Sequence, residues 1–162
     1  MGRLWDGILK TNAIRILESN NIPHSLIEYE VDEEKLDAVS VAFKIGFEPE
    51  RVFKTLVART DKNEIVVFVI PGNYELNLKK AASISESKKV EMIKVTEIQP
   101  LTGYIRGGCS PIGMKKHYKT FIDETAQLFD TISVSAGSRG IQMIISPADL
   151  LSVISGKYAD LL

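Results

Sequence analysis

The chain is poor in the residues that most often do covalent and metal chemistry. One cysteine in 162 residues rules out an intrachain disulfide framework and is compatible with a reducing compartment. The two histidines, His24 and His117, have no cysteine or carboxylate cluster beside them at metal-ligand spacing, so no zinc or two-metal centre is expected. No apolar run is long enough to span a bilayer, and the first residues lack the apolar stretch of a signal peptide. A cytoplasmic protein with no membrane partner is therefore expected. Neither GxxxxGK[ST] nor GxGxxG occurs. Nucleotide hydrolysis and dinucleotide binding are not indicated, and no cofactor is expected. The net charge is −1, so any charged face must be local.

Such a local asymmetry exists. Residues 28–50 carry eight acidic and two basic groups, whereas residues 79–119 carry nine basic and three acidic groups. The second segment is either an unevenly charged solvated surface or a basic face for a phosphate backbone.

Hydrophobic residues make up 44% and charged residues 25%, ordinary values for a globular chain. The length fits one domain, residues 1–162, with a substantial core. Asp6 is expected to cap a first helix in which Ile8, Leu9, Ala13, Ile14 and Leu17 have helical spacing and which ends near Asn20-Asn21. Trp5 reads as a packing or surface residue. Residues 25–31 read as a strand, and residues 37–45 as a helix stopped by Gly46. Residues 52–59 and 65–70 read as a hairpin around Asp61-Lys62-Asn63-Glu64. Asn77 can cap a short helix through Lys80, Ala81 and Ile84. Residues 104–106 are expected to be a strand, as are 119–122, 131–135 and 140–145, with Asp123-Glu124 opening a helical turn between the second and third of these. Ser146-Pro147 opens the last helix, serine as cap and proline at its first position. Strands and helices mix without a βαβ rhythm, which favours an α+β or mixed-sheet fold over a doubly wound one.

Three features carry chemistry. Gly107-Gly108-Cys109-Ser110-Pro111-Ile112-Gly113 precedes the basic run Lys115-Lys116-His117. Glycine lets backbone approach a ligand closely, and its N–H groups can face a carbonyl oxygen or a phosphate. Ser135-Ala136-Gly137-Ser138-Arg139-Gly140 is a second small-residue loop. Each loop alone is equally a tight turn that binds nothing; two at strand ends can form opposite walls of one pocket. Lys54 lies in the apolar segment Val52-Phe53-Lys54-Thr55-Leu56. It is either an edge lysine reaching into water or an ammonium facing an anionic ligand, because an unpartnered buried charge is costly. Cys109 as a nucleophile would need a neighbouring base, and His117, eight residues on, fixes no geometry.

Phe53-Lys54-Thr55-Leu56, Asn77-Leu78-Lys79-Lys80-Ala81-Ala82, Gly107-Gly108-Cys109-Ser110-Pro111 and Ser135-Ala136-Gly137-Ser138-Arg139-Gly140 occur in that order. Together they resemble the YbaK branch of the YbaK/prolyl-tRNA-synthetase-associated domain family, over residues 10–160. The resemblance implies an α+β single domain with a mixed sheet curled into a partial barrel and surrounded by helices. It implies a free-standing editing hydrolase that deacylates mischarged Cys-tRNA(Pro), in some members also Cys-tRNA(Cys). It places Lys54, Gly107, Ser135 and Gly137 at the catalytic centre and Tyr29, Gly108, Ser110 and Arg139 at the substrate. The residue between the glycine pair and Ser110 varies among members, which implies no shared role for Cys109. Met114 stands where many members have glutamine, and Ala136 where many have glycine.

The short supply of acids and bases suits that chemistry. An aminoacyl-tRNA is an activated ester, and a cysteinyl group carries its own thiol. In the family that thiol is thought to attack its own carbonyl and leave as a cyclic thiolactone. The expected partner is the acceptor end of an aminoacyl-tRNA, with prolyl-tRNA synthetase as a second. Two alternatives stay open: a deacylase of the same fold for alanyl or seryl esters, using an activated water, and a non-catalytic RNA-binding or regulatory module. Convergence of Lys54, Gly107 and Ser135 on one cavity separates an enzyme from such a module.

Overall fold

A computed structural model describes residues 10–162; Trp5, Asp6, Ile8 and Leu9, named above, lie outside them. The first described helix, α1 (Asn12–Ser19), is capped by Thr11, whose hydroxyl accepts the Ile14 N–H, and it buries Ala13, Ile14 and Leu17. It ends at Asn20, as the sequence implies.

Strand β1 (Ser25–Glu28) is shorter than expected. Helix α2 (Ala38–Ile45) is capped by the Asp37 carboxylate and closed by Gly46 at φ 76°, a left-handed value that glycine adopts without strain. The hairpin of β2 (Phe53–Thr60) and β3 (Ile65–Pro71) follows. Then come α3 (Leu78–Ile84), capped by Asn77, β4 (Val90–Met92) and α4 (Val95–Thr102). Residues 104–106 are not a strand: Tyr104 and Ile105 lie outside any element and Arg106-Gly107 form a turn. The Tyr104 hydroxyl donates to the Ile112 carbonyl at 2.6 Å, and its N–H bonds the Thr102 hydroxyl. These local bonds take the place of a ladder.

The remaining elements are β5 (Lys119–Asp123), β6 (Ile132–Ser138), β7 (Ile141–Ile145), α5 (Pro147–Val153), capped by Ser146, and β8 (Lys157–Ala159). The sequence reading has no counterpart for β8. Asp123, read as a helix opener, is fully buried. It caps the 3₁₀ turn Glu124–Leu128 and also accepts the Leu161 N–H at 2.9 Å, tying down the C-terminal segment.

The class is α+β, with the strands in two sheets rather than one. β1, β7 and β6 form an antiparallel sheet in the order β1-β7-β6. The other five run β4-β2-β3-β5-β8, parallel at β3–β5 and β5–β8. A single parallel bridge, Val52 to Ser133, joins the sheets, and the barrel does not close. β3 is central and covered on both faces. Val67 and Val69 enter one core with Ile14, Leu17 and Ile132. Val66, Phe68 and Ile70 enter the other with Ala81 and Phe121. A strand buried on both sides needs the continuous apolar run that residues 65–70 supply. The Val52–Ser133 bridge brings the start of β2 beside β6, where the site lies.

Candidate active site

Alternation along β2 sets the first wall. Phe53 and Val57 join the core shared with α1, so Thr55, between them on the same face, is carried inward. Lys54 points the other way, and its Nζ donates to the Gly72 carbonyl at 3.2 Å. Gly72 follows β3, and its N–H donates to the Val52 carbonyl at 2.7 Å. A Cβ on Gly72 would stand 2.5 Å from the Ala38 Cβ and 2.8 Å from the Val52 oxygen. Glycine here is a matter of space: it lets the start of α2 lie against the hairpin.

The glycine loop and the end of β6 form the other wall. β6 does not stop at Ser135 but runs on to Ser138 with a bulge, since Ser135 pairs with Gln142 and Ser138 with Ile141. The expected second loop is thus a bulged strand end followed by Arg139-Gly140. The two segments pack backbone to backbone: a Cβ on Gly108 would lie 3.0 Å from the Arg139 nitrogen and 3.1 Å from the Ser138 carbonyl carbon. Arg139 Nε donates to the Arg106 carbonyl at 2.8 Å, pinning them together.

Between these walls is a cavity of about 200 Å³ lined in part by Lys54, Gly107 and Ser135. The three residues that were required to converge do so. Ser135 Oγ accepts the Gly137 N–H at 3.1 Å and keeps its own O–H to donate. Of the other candidates, Ser110 is fully buried and its hydroxyl accepts the Ile112 N–H, a turn-forming contact. Gly137, at φ 101°, faces Tyr104 and Thr11, where a Cβ would lie 2.8 and 3.1 Å from their atoms. Tyr29 stands outside this cavity, on a wider depression with Phe43 and Lys44; its N–H bonds the Gly140 carbonyl. The backbone donors sort likewise. The N–H of Gly108 goes to Ile105 and that of Gly137 to Ser135, so neither is free for a ligand. The N–H groups of Gly107 and Cys109 have no acceptor among the described residues.

The lining also includes Asp37, Thr55, Gly72 and Gln142, which the sequence does not single out for the site. Thr55 Oγ1 is buried with no hydrogen-bond partner among the described residues, which is unusual for a native hydroxyl. Gln142 is buried, and its amide oxygen accepts the Ser133 hydroxyl at 2.8 Å, leaving the N–H₂ to donate. One signal was available: Gln142 is the lone polar residue in Ile141-Gln142-Met143-Ile144-Ile145. In sequence Asp37 is only the first residue of the helix expected over 37–45; in the structure it is that helix's N-cap. Ser40 hydrogen bonds, its hydroxyl first, hold the Asp37 carboxyl below its ordinary value, so the cavity carries an anion as well as the Lys54 cation. Cys109 also lines it. Burial pushes its thiol up to about 11, so it is neutral near pH 7 and a poor nucleophile.

Away from the cavity, the basic segment is partly neutralised. Lys80 pairs with Asp160 and Lys89 with Glu91, and Lys115 Nζ donates to the Pro100 carbonyl. Lys116 and His117 border a separate depression beside Val153 and Ile154. Among the described residues, no three of His, Cys, Asp and Glu gather as metal ligands, and no helix is long and apolar enough to cross a membrane.

Residues 32–153 match the model of the aminoacyl-tRNA editing domain. The chain belongs to that family. This editing domain is 49% identical over 152 residues to an Enterococcus faecalis protein named "Putative Cys-tRNA(Pro)/Cys-tRNA(Cys) deacylase EbsC", covering 94% of this chain and 93% of the relative. It is 26% identical to a proline–tRNA ligase of Shouchella clausii, where the match covers 75% of this chain but 21% of the ligase. The fold recurs in a solved structure titled as a putative trans-editing enzyme for prolyl tRNA synthetase, with a TM-score of 0.80 at 24% identity over 94% of this chain and 98% of that one. A second, described as hypothetical protein APE2540, gives a TM-score of 0.85 at 18% identity, covering 93% of this chain and 99% of that one.

Proposed function

We propose that the chain is a trans-acting deacylase that hydrolyses mischarged Cys-tRNA(Pro). The observation that carries this reading is the joint presence of Lys54, Gly107 and Ser135 on one small cavity. A backbone-binding module needs only a basic surface; an ester-cleaving site needs donors converging on one point. At about 200 Å³ the cavity is smaller than the ~300–1,000 Å³ of drug-sized ligand sites. That size suits a small aminoacyl group with its ester, the nucleotides lying outside. The near half-identity to a relative named for Cys-tRNA deacylation supports cysteine as the group removed.

Lys54 keeps two N–H donors beyond its bond to Gly72 and holds the ester and terminal ribose. The Ser135 hydroxyl and the Gly107 N–H polarise the carbonyl; Gly137 and Gly108 act by bringing the two segments together. The substrate thiol then attacks the carbonyl carbon. A carbon–sulfur bond forms, the ester carbon–oxygen bond breaks, and the thiol proton passes to the departing ribose oxygen. The products are uncharged tRNA and a four-membered thiolactone, which water opens to cysteine. Cys109 takes no part in this step. Such editing is useful because binding alone discriminates weakly between amino acids of similar size. Proline–tRNA ligases carry a related segment within their own chains; a separate chain needs the tRNA brought to it, and docking to prolyl-tRNA synthetase in the cytoplasm is part of the proposal.

The test is release of radiolabelled amino acid from tRNA(Pro) charged with cysteine, alanine or serine. Cysteine should leave fastest, and Lys54→Ala should slow it by about 10²–10³-fold, the scale of losing one preorganised donor at the reacting group. Faster release of alanine or serine would favour a water-using deacylase. No release of any would leave an RNA-binding module.

A further inference from the structure

Lys54 shares the cavity wall with one carboxylate, Asp37. The ion pairs among the described residues lie elsewhere, and the Lys54 ammonium bonds the Gly72 carbonyl instead. Asp37 is held in place as the cap of α2: Oδ2 accepts the Ser40 N–H at 3.1 Å and Oδ1 the Ser40 hydroxyl at 2.7 Å. Each oxygen keeps lone-pair capacity for a further donor. The cavity adjoins a second depression through shared walls at Leu36, Asp37 and Gly107, and Glu33 and Glu34 line that depression with Arg106. An ammonium and a carboxylate on one wall, not paired with each other, fit a ligand that offers acceptors at one end and an amine at the other. An aminoacyl ester is built that way. Its carbonyl and ribose oxygens accept, and its α-amino group donates whether protonated or neutral.

We propose that Asp37 binds the α-amino group of the aminoacyl moiety, so that the site selects tRNA with a free amino acid over tRNA whose amino group is acylated. This rests on the deacylase reading and adds a specificity residue to it. An N-acyl group would remove the positive charge and N–H donors and add bulk at the carboxylate.

The experiment crosses two enzymes with two substrates: wild type and Asp37→Asn, on Cys-tRNA(Pro) and N-acetyl-Cys-tRNA(Pro). Asparagine caps helices as well as aspartate does, so the substitution removes the charge and keeps α2; Asp37→Ser serves as a second cap-forming variant if the first melts early. The expected result is a KM for wild type about tenfold higher on the N-acetyl substrate, the scale of one hydrogen bond to a charged group. Asp37→Asn should raise KM about tenfold for Cys-tRNA(Pro), on the same scale, with kcat little changed, and leave KM for the N-acetyl substrate as it was. Equal KM of wild type for the two substrates, or an equal effect of Asp37→Asn on both, overturns the inference and leaves the deacylase reading standing. Inactivity of wild type on free Cys-tRNA overturns both.

Discussion

A lysine between Phe53 and Thr55 on a strand can end in water or at a ligand, and pattern alone does not choose. The choice is made by Gly72, whose carbonyl accepts a hydrogen bond from Nζ and keeps the ammonium on the cavity wall. Thr55, next along the strand, goes the other way, into the core face between Phe53 and Val57, with its Oγ1 buried and unpartnered among the described residues. A buried hydroxyl without a partner costs about 1–3 kcal/mol, so the free protein gains nothing from it. Thr55→Val, nearly the same shape, is therefore expected to raise stability by about 1 kcal/mol in urea unfolding. If the hydroxyl meets substrate, the same variant lowers kcat/KM by about tenfold, which is one hydrogen bond's worth. Gain of stability with loss of activity marks a group kept for the ligand. Lys54 and the two glycine-rich segments were legible in sequence because ammonium and glycine are unusual in such settings; Thr55 was not, since threonine is ordinary in a strand.

At the scale of elements, the site depends on how closely α2 lies on the hairpin. Gly72 permits that approach, and any Cβ there meets Ala38 and the Val52 carbonyl. Because the Ala38 Cβ is fixed to the helix backbone and has no rotamer to move into, relief requires α2 to shift and carry Asp37 with it. Gly72→Ala is expected to destabilise the protein by roughly 1–3 kcal/mol, the cost of overpacking. It should also lower deacylation at temperatures where the fold is intact, which thermal melts and single-turnover release measured together will show. The helix caps Asn77 and Ser146 and the stop at Gly46 were readable because caps are local chemistry. Residues 104–106 failed as a strand because side-chain bonds from Thr102 and Tyr104 hold that stretch. β8 escaped because three residues show no period.

For the whole molecule, burial has a consequence at alkaline pH. It pushes Cys109 up to about 11 and Tyr104 up to about 12, each above the ordinary value for its type. Folded chains thus hold two protons that unfolded chains release at lower pH. The unfolded state binds fewer protons there, so stability falls as pH rises above the ordinary thiol range, and the fall ends only when the folded groups titrate. Urea midpoints measured from pH 7 to pH 11 should decline through the upper half of that range, and Cys109→Ala should flatten part of the decline. Over pH 6–8 both groups stay neutral in the fold, so Cys109 should leave no inflection in the rate of deacylation. The division of the strands into two sheets bridged at Val52 and Ser133 is a property of the same scale, and no single segment announces it.

Sequence by itself determined the α+β class, most element boundaries, and the cation and glycine-rich segments of the site. Those follow from local sterics, capping and periodicity, which act over a few residues. Tertiary structure decided that Lys54, Gly107 and Ser135 share a cavity, that Tyr29 stands outside it, and that Asp37, Thr55 and Gln142 stand within it. It also decided that Gly137 and Gly108 serve backbone approach. Which residues face one another across a cavity depends on contacts between segments far apart in the chain. No spacing along the chain encodes those contacts; packing around Gly72 and the bridge between the sheets sets them.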